Sequence, residues 1–441
     1  MVERLRVLWI TSTQFPAVTG AASMKGGGWM EGWRWSLAHH HPEVDLGILS
    51  YGSVQHPPLA LDDATYFCFP RRDEPGKARE LARRWSHRDQ TGLGRHATFA
   101  DVVHSFEPDL IHVHGSETGL ARMTFHSPKP VLISLQGLAT LCQRFMFAGL
   151  SPGHLAAEFL KPRFYKGYGH LHSYLLMRDR AKTEQHILSQ SRFLLGNTQW
   201  DRAVAAVLAP AALYYHADRA VRREFYDGTW SASKDKFLNP VVYCTGGAAP
   251  YKGLEFLLEA VALLRRTDFP GLRLRIAGPI DRAYHWPTLQ RLSARADLRG
   301  AVSWLGELDA RQVVHELESA TLFLQPSHIE NESNTLIEAM LVGTPCVASH
   351  VGGIPSMLTE GRSGLLVHDR DPYALAGAMR ELLRNPEWAA SLARSGRETA
   401  RQRHDPKSVS DQLVEVYRDV LRRTTQAQRL SADGSLERAA Q

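Results

Sequence analysis

Two glutamates with a defined spacing are the residues best suited to chemistry. Glu330 and Glu338 stand eight positions apart in QPSHIENESNTLIEAM, where a buried strand leads into a helix starting near Ser333 or Asn334. Glu330 would then lie in the crevice beyond the strand's carboxyl end, where open α/β sheets bind ligands. Glu338, about a turn inside the helix, would hold a hydroxylated group, while the N–H groups of Ser333, Asn334 and Thr335 face an anion. The alternative is an N-capping carboxylate and a surface glutamate.

Two glycine-containing segments, each between a predicted strand and a helix, favour phosphate binding. They contain Gly26, Gly27 and Gly28 in the first half of the chain, and Gly246, Gly247 and Lys252 in the second. Glycine lets a ligand approach the backbone closely, a helix N-terminus offers free N–H groups, and a lysine adds a point charge. Taken alone, each segment also fits a flexible turn or a solvated lysine.

Short apolar runs alternate with helical patterns along the chain, which is typical of βαβ units and parallel sheets. The predicted strands are 6–12, 44–50, 65–69, 110–114, 131–135, 193–196, 213–215, 240–244, 272–277, 302–305, 321–324, 345–349 and 364–367. The sequence therefore predicts an α/β fold with two Rossmann-like domains.

Breaks in the apolar pattern predict the domain boundaries. The polar segment 226–239 is interpreted as a linker, and the tail after Arg423 loses its apolar stripe. We expect a first domain over 1–225, a linker over 226–239, a second domain over 240–405, a C-terminal helix over 406–423 and a disordered tail over 424–441.

Composition limits the class of protein. The chain has 441 residues, of which 44% are hydrophobic and 22% charged, and this excludes a disordered chain, a collagen and a small disulfide scaffold. The four cysteines are widely separated, which argues against a structural zinc site and favours a reducing, cytoplasmic location. Its apolar runs are too short for a signal peptide or a membrane span.

The net charge of +6 leaves several partners open. Residues 77–88 (KARELARRWSHR) form a basic, amphipathic pattern suited to an anionic membrane surface, although a solvated helix face is the simpler interpretation. Basic and aromatic residues are not clustered as nucleic-acid binding requires, so no nucleic-acid partner is expected.

The combination of G-x-G-x-x-G and a downstream acid, typical of dinucleotide-dependent oxidoreductases, is missing.

Two motifs that resemble metal sites have simpler explanations. The run from His39 to His41 ends a predicted helix before Pro42, where histidines face the negative end of the helix dipole. In Asp369-Arg370-Asp371, Asp371 precedes a proline and fits a helix N-cap. No metal ion or other cofactor is expected.

Taken together, these motifs resemble the retaining glycosyltransferases of family 4, which have the GT-B architecture of two Rossmann-like domains facing across a cleft. The resemblance rests on the Glu330/Glu338 pair and on four further segments: EAMLVGTPCVASHVGGIP, PYKG at 250–253, PDLIHVHG at 108–115 and the first glycine loop. It implies transfer of a sugar from a nucleotide diphosphate sugar to a hydroxyl acceptor, which is a saccharide, a lipid-linked saccharide or a small molecule.

The resemblance also implies roles for the site residues. Glu338 would bind the nucleotide ribose, Glu330 the donor sugar near the reaction centre, and Lys252 the diphosphate. Residues 333–335 and the glycine loop at 26–28 would surround the same diphosphate. The helix near 408–422 would return to the first domain, and the acceptor side would include His114, Glu117, Gln136 and Arg144.

Two positions depart from the family pattern. Gly247 stands where the family has an arginine five residues before the lysine, and Gln136 stands where many members have a histidine. An amide can hydrogen-bond a hydroxyl but cannot act as an acid or base at neutral pH.

The favoured function is synthesis of a surface or exported polysaccharide. Alternatives are glycosylation of a specialised metabolite and a non-catalytic protein that binds sugar nucleotides.

Overall fold

The computed structural model describes residues 4–13, 15–16, 28–51, 58–61, 63–69, 77–89, 96–247, 249–279 and 285–432. The first of its two sheets has the strand order β3-β4-β2-β1-β5-β6-β7-β8. Its strands are β1 (Leu5–Thr11), β2 (Val44–Tyr51), β3 (Leu59–Leu61), β4 (Ala64–Phe69), β5 (Leu110–His114), β6 (Val131–Ser134), β7 (Phe193–Gly196) and β8 (Leu213–His216). Neighbouring strands run parallel except at the edge, where β3 is antiparallel to β4.

The second sheet has the order β11-β10-β9-β12-β13-β14 and is parallel throughout. Its strands are β9 (Val241–Thr245), β10 (Arg273–Ala277), β11 (Val302–Gly306), β12 (Leu322–Gln325), β13 (Cys346–Ser349) and β14 (Leu365–Val367). This architecture confirms the predicted α/β fold with two mainly parallel sheets.

Helices separate most of the strands. In the first half they are Gly28–His40, Lys77–Ser86, His96–Phe106, Ala139–Cys142, Pro152–Glu158, Pro162–Tyr165, His170–Gln190 and Gln199–Leu208. In the second half they are Glu224–Asp227, Lys234–Leu238, Leu254–Arg266, Trp286–Ser293, Ala310–Ser319, Asn334–Val342, Pro372–Arg384, Pro386–Arg403 and Pro406–Ala432. Among the described helices, none is both long enough and apolar enough to cross a membrane.

Both sheets are buried on both faces, which explains their near-continuous apolar strands. In β1, Val7 and Trp9 join one core cluster, whereas Leu8 and Ile10 join another. Side chains alternate across a strand, so each face of the sheet has its own core. The parallel strands also place their carboxyl ends along one edge of each sheet, where the loops that follow them meet.

The chain passes from the first core to the second earlier than the sequence indicated. Ala220 packs in the core of the first sheet, whereas Val221, Phe225 and Trp230 pack with residues of the second sheet and its helices. The segment 226–239 is therefore not a free linker. Trp230 is buried, and its indole N–H donates a hydrogen bond to the carbonyl of Ala320. A single large apolar side chain anchors a segment that lacks any apolar periodicity.

The C-terminal helix lies against the first domain and is longer than expected. Tyr417 is fully buried, and its hydroxyl oxygen lies 3.0 Å from Trp9 Nε1 and 2.8 Å from His112 Nδ1. The helix continues to Ala432, so the expectation of disorder from residue 424 was wrong for 424–432. Threonine apart, this stretch is rich in good helix formers such as Gln, Ala, Arg and Leu, which extend a helix already held by packing.

Candidate functional site

Glu330 lies in the loop that follows β12, at the carboxyl edge of the second sheet. Its Oε1 accepts hydrogen bonds from Ser327 Oγ at 2.8 Å and from Gln325 Nε2 at 3.1 Å. The glutamate side chain is 14% exposed. The loop therefore fixes the position of one carboxylate oxygen while leaving the group in reach of a ligand.

Lys252 forms an ion pair with Glu330. Its Nζ lies 2.5 Å from Glu330 Oε1, and the lysine side chain is 25% exposed. Burial opposes the charged ammonium, but the attraction of Glu330 outweighs it and raises the pKa of Lys252. The lysine is thus cationic over the physiological pH range and adjoins the crevice beyond β12.

Backbone contacts hold the lysine loop against the glutamate loop. The N–H of His328 donates to the carbonyl of Tyr251 at 2.8 Å. Gly253 has φ +66°, and a Cβ there would lie 2.0 Å from the carbonyl oxygen of Pro326. Any other residue at 253 would separate the loops, so glycine is required in the PYKG segment.

His328 was not singled out from the sequence. Its imidazole lies 2.5 Å from Asp369 Oδ1 and 3.2 Å from Glu255 Oε1. Burial disfavours its cationic form, but these two carboxylates raise the pKa of His328. Asp369 is therefore hydrogen-bonded to a histidine of its own domain. Asp371 caps the Pro372–Arg384 helix, as predicted.

Gln325 connects Glu330 to the N-terminus of the Asn334–Val342 helix. Its Oε1 accepts hydrogen bonds from Ser333 Oγ at 3.2 Å and from Thr335 Oγ1 at 2.8 Å. Ser333 is the N-cap, as its side chain accepts from the N–H of Leu336. The helix start predicted from the sequence is therefore correct. Gln325 connects the N-terminal turn of this helix to the Lys252–Glu330 pair by hydrogen bonds.

Glu338 is buried inside that helix and pairs with an arginine that the sequence reasoning missed. Arg222 Nη2 lies 3.2 Å from Glu338 Oε1. Burial raises the pKa of Glu338, and Arg222 partly opposes that rise. Arg222 lies just beyond the point where the chain passes between the cores, so only its three-dimensional path brings it opposite the helix.

The glycine loop of the first domain meets the same arginine. A Cβ at Gly28 would lie 2.7 Å from Arg222 Nε, so the backbone approaches the guanidinium closely at this point. Gly26 and Gly27 lie outside the described residues. In the second domain, Gly246 lies beside the Lys252 side chain, and a Cβ at Gly247 would contact Pro279 at 3.4 Å.

The first domain contacts this site at the end of β6. The carbonyl of Leu135 accepts from Asn331 Nδ2 at 3.2 Å, and Thr198 Oγ1 donates to Asn331 Oδ1 at 2.9 Å. Cys142 is close enough for Glu330 to affect it electrostatically, and burial, with that carboxylate, raises the pKa of its thiol to about 12. The two domains therefore face each other at the Lys252–Glu330 pair.

The residues predicted on the acceptor side are not equally accessible. His114 is 2% exposed and packs against Trp9 with a ring separation of 4.6 Å. Glu117 is largely buried, and this burial raises its pKa to about 7. Arg144 is exposed, whereas Gln136 holds a buried side-chain nitrogen that has no hydrogen-bond partner among the described residues.

Two buried carboxylates in these regions were not predicted. Glu184, fully buried in the His170–Gln190 helix, accepts from the N–H groups of Ala139 and Thr140 and so holds the loop after β6. Glu332 lies 2.8 Å from Arg403 and 3.3 Å from Arg219. Glu184 stands among polar residues of a long helix and Glu332 two positions after Glu330, and no spacing pattern distinguishes either from its neighbours.

Comparison with known proteins finds a family model that matches part of the chain. Residues 231–399 match the model of the family described as "Glycosyl transferases group 1". This segment is similar to the domains of that family. It contains Lys252, Glu330 and Glu338, and it begins within the segment that packs onto the second core.

Curated relatives agree with that assignment. The D-inositol 3-phosphate glycosyltransferase of Saccharomonospora viridis is 29% identical over 257 residues, covering 55% of this chain and 59% of the relative. Its counterpart in Acidothermus cellulolyticus is 34% identical over 200 residues, covering 44% of each chain. The aligned part of the chain thus spans about half the length of these relatives.

Solved structures extend the likeness to nearly the whole chain. Sucrose-phosphate synthase from Thermosynechococcus elongatus has a TM-score of 0.70 at 19% identity, covering 95% of this chain and 99% of its own. The Anabaena protein Alr3699/HepE, in complex with UDP and glucose, has a TM-score of 0.66 at 16% identity, covering 94% and 100%. At this identity the likeness shows the fold, and it confirms the GT-B architecture.

Proposed function

We propose that this protein transfers a sugar from a nucleotide diphosphate sugar to a hydroxyl acceptor, with retention of configuration. The observation that carries the proposal is the Lys252–Glu330 pair beside the capped helix N-terminus of a group 1 glycosyltransferase domain. A cation, a helix N-terminus and a hydroxyl-binding carboxylate are what a sugar diphosphate requires.

In the proposed reaction, the bond between the anomeric carbon and the diphosphate oxygen breaks, and the acceptor oxygen bonds to that carbon on the same face. Lys252 and the N–H groups of residues 333–335 stabilise the charge that develops on the diphosphate. The departing phosphate oxygen accepts the acceptor's proton. Neither carboxylate acts as a base in this scheme, whereas a covalent intermediate through Glu330 is the alternative mechanism.

Each side chain of the network has a function in this scheme. Glu330 keeps one oxygen on Ser327 and Gln325 and uses the carboxylate's remaining lone pairs for hydroxyl groups of the donor sugar. Glu338 receives the ribose hydroxyls and shares them with Arg222, its present partner. The reaction itself needs no metal ion, because cationic side chains and the helix N-terminus neutralise the leaving group.

Substitution of the ion pair tests the proposal. Lys252→Ala and Glu330→Ala, shown to be folded by circular dichroism, should lower donor turnover at least about 100-fold. Lys407→Ala is the matched control, since Lys407 pairs with Asp411 at exposed positions of the C-terminal helix. Turnover at the parental rate in both site variants would refute the site assignment.

The relatives support a class of donor and a class of acceptor. Similar solved structures were determined with UDP or UDP-glucose, which supports a UDP-sugar donor. The curated relatives named for D-inositol 3-phosphate support a polyol or saccharide acceptor. Thermal-shift measurements with UDP-, GDP-, ADP- and TDP-sugars should show stabilisation by the UDP-sugar, and no shift with any of them would contradict transferase function.

A second proposal concerns the cytoplasmic face of a membrane, where an acceptor for surface polysaccharide would be presented. We infer that an exposed patch of the first domain, the aromatic-basic patch, binds anionic lipid. Its apolar members are Leu81, Trp85, Phe159, Leu160, Tyr165 and Tyr168, and Leu160 is 86% exposed. Its basic members are Lys77, Arg79, Arg83, Arg84, Lys161 and Lys166.

The patch unites two segments that are distant in sequence. Trp85 Nε1 donates to the carbonyl of Tyr165 at 3.1 Å, and the Arg84 guanidinium lies 4.3 Å from the Tyr168 ring centre. No residue of the Lys77–Ser86 helix is buried. Exposed aromatics beside several cations match the interface of an anionic bilayer, whereas a merely solvated helix face needs no exposed tryptophan.

Vesicle sedimentation tests this surface. The protein should bind phosphatidylcholine vesicles that contain phosphatidylglycerol and should not bind phosphatidylcholine alone. Arg79→Glu with Leu160→Ala should weaken binding at least roughly ten-fold. The control is Arg311→Glu with Val207→Ala. It makes the same charge reversal and a comparable apolar truncation at exposed positions of other helices. Equal binding by both double variants would contradict the assignment of the patch.

A further inference from the structure

Three metal-ligating side chains converge beside the boundary between the domains, outside the glycosyltransferase site. His154 and Glu158 lie four positions apart on the Pro152–Glu158 helix and therefore share one face, and His170 begins the next long helix. One ligand atom from each of the three residues lies within 4.8 Å of the other two. Two imidazoles and a carboxylate are a common zinc donor set.

The carboxylate and one imidazole are buried and oriented. Glu158 is 3% exposed and His170 is fully buried. Glu158 Oε1 lies 2.7 Å from His170 Nδ1, while Glu158 Oε2 accepts from the N–H of His170 at 2.9 Å. These two hydrogen bonds fix the orientation of the His170 ring and of the Glu158 carboxylate.

A further imidazole, outside this group of three, lies beside it in the second domain. His285 is 1% exposed, and its ring packs edge-on against His170 with the ring centres 5.8 Å apart. His285 Nε2 lies 3.6 Å from Glu255 Oε2, whereas its Nδ1 has no hydrogen-bond partner among the described residues. Buried imidazole nitrogens in proteins normally have a hydrogen-bond partner or bind a metal ion.

The site also spans the interface. His154 contacts the hydroxyl of Thr288 in the second domain at 3.4 Å. An adjoining cavity of about 410 Å³, lined by Gly153, His154 and Pro287 among others, gives solvent access to the cluster. An ion from solution could therefore reach the exposed side of His154 without unfolding of the buried donors.

We propose that His154, Glu158 and His170 bind a divalent transition metal of the zinc class, with His285 as the fourth ligand. The ion would join a helix of the first domain to the second domain and stabilise their closed arrangement. This site is independent of the proposed transfer reaction. The competing interpretation is a structural one, in which Glu158 only caps the His170–Gln190 helix and pairs with Arg163.

Metal titration of the full-length, tag-free protein after chelator treatment tests the proposal. Calorimetry should show one saturable Zn²⁺ site, and Co²⁺ should give the intense visible absorption of a tetrahedral complex. His154→Ala should weaken Zn²⁺ binding at least ten-fold, because it removes a ligand. His39→Ala, which removes an exposed histidine from the triple-histidine run, should leave the affinity unchanged.

A replacement ligand separates a metal site from a structural cap. His154→Cys should retain Co²⁺ and add a thiolate charge-transfer band in the near ultraviolet, whereas a cap gives no such band. Melting temperatures measured without metal show whether each variant folds. The proposal is overturned if the parent protein shows no saturable Zn²⁺ binding, or if His154→Ala binds Zn²⁺ as tightly as the parent.

Discussion

The two faces of the cleft hold their ionisable groups differently. On the second-domain face, Lys252 and Glu330 are paired yet remain 25% and 14% exposed. In the first domain, His112, His114 and Glu184 are at most 2% exposed. Burial lowers the pKa of both histidines, so these rings are neutral at physiological pH.

This difference indicates how the two substrates would be recognised. A charged donor calls for accessible, compensated charges, and the second domain supplies them. A hydroxyl acceptor calls for neutral hydrogen-bond donors and acceptors, and Gln136, after the end of β6, has an amide nitrogen that no described residue binds.

The largest effect is expected when both members of the ion pair are changed. Lys252→Met and Glu330→Gln should each lower kcat/KM by about 100- to 1000-fold, since each leaves a charge without its partner near the diphosphate. The double variant should be little worse than the poorer single one, because the two side chains act as a unit. Steady-state kinetics give the comparison, and multiplicative losses would show that the residues act independently.

On the opposite face, Glu117 should affect stability with pH. Burial raises its folded pKa from 4.5 to about 7. Its contribution to the free energy of unfolding is therefore fully present below pH 4.5 and is lost as the pH rises to about 7. Relative to the parent, Glu117→Gln should gain about 1–3 kcal/mol between pH 5 and pH 8.

Urea unfolding at both pH values measures that difference. Glu415→Gln provides the control, because Glu415 is a solvent-exposed carboxylate on the C-terminal helix. A difference in unfolding free energy between Glu117→Gln and the parent that does not change with pH would mean that Glu117 is ionised in the folded protein.

A smaller effect is expected at Gln136. Gln136→Ala removes the amide nitrogen that has no partner, and it should raise the acceptor KM about three- to ten-fold. Donor hydrolysis in the absence of acceptor should not change, because the residue belongs to the first-domain face. Gln136→Glu keeps the size of the side chain but removes the donor, and it should resemble the alanine variant. A change in donor KM alone would place Gln136 on the donor side.

The elements of this fold were predictable because the strands are buried on both faces. All thirteen predicted strands occur, with no end shifted by more than one residue. Among the strands of the described residues, only Leu59–Leu61 was missed, since a three-residue antiparallel edge strand gives no measurable alternation. The two errors in the predicted domain boundaries concern segments that lack an apolar stripe, 226–239 and 424–432. One buried indole decides the structure of the first, and helix propensity decides that of the second.

The site divides in the same way. Glu330, Ser333 and Lys252 were predictable because a strand, a turn and a helix place them at fixed offsets. Arg222 and Arg219 were not, because they precede the second domain and reach its helix only through the path of the crossover. The acceptor face depends on the packing of side chains from several elements, and no local spacing records which of them is exposed.

The smallest effect is expected at Gly247, where the family pattern has an arginine. A Cβ at this position would contact Pro279 at 3.4 Å, and the backbone is not in the left-handed region, so a side chain can be accommodated. Gly247→Arg should lower the donor KM about two- to five-fold, since an exposed cation beside a diphosphate contributes under about 1 kcal/mol. Gly247→Gln, similar in length but uncharged, should not. If both variants lowered donor KM equally, contact area rather than charge would limit donor binding on the second-domain face.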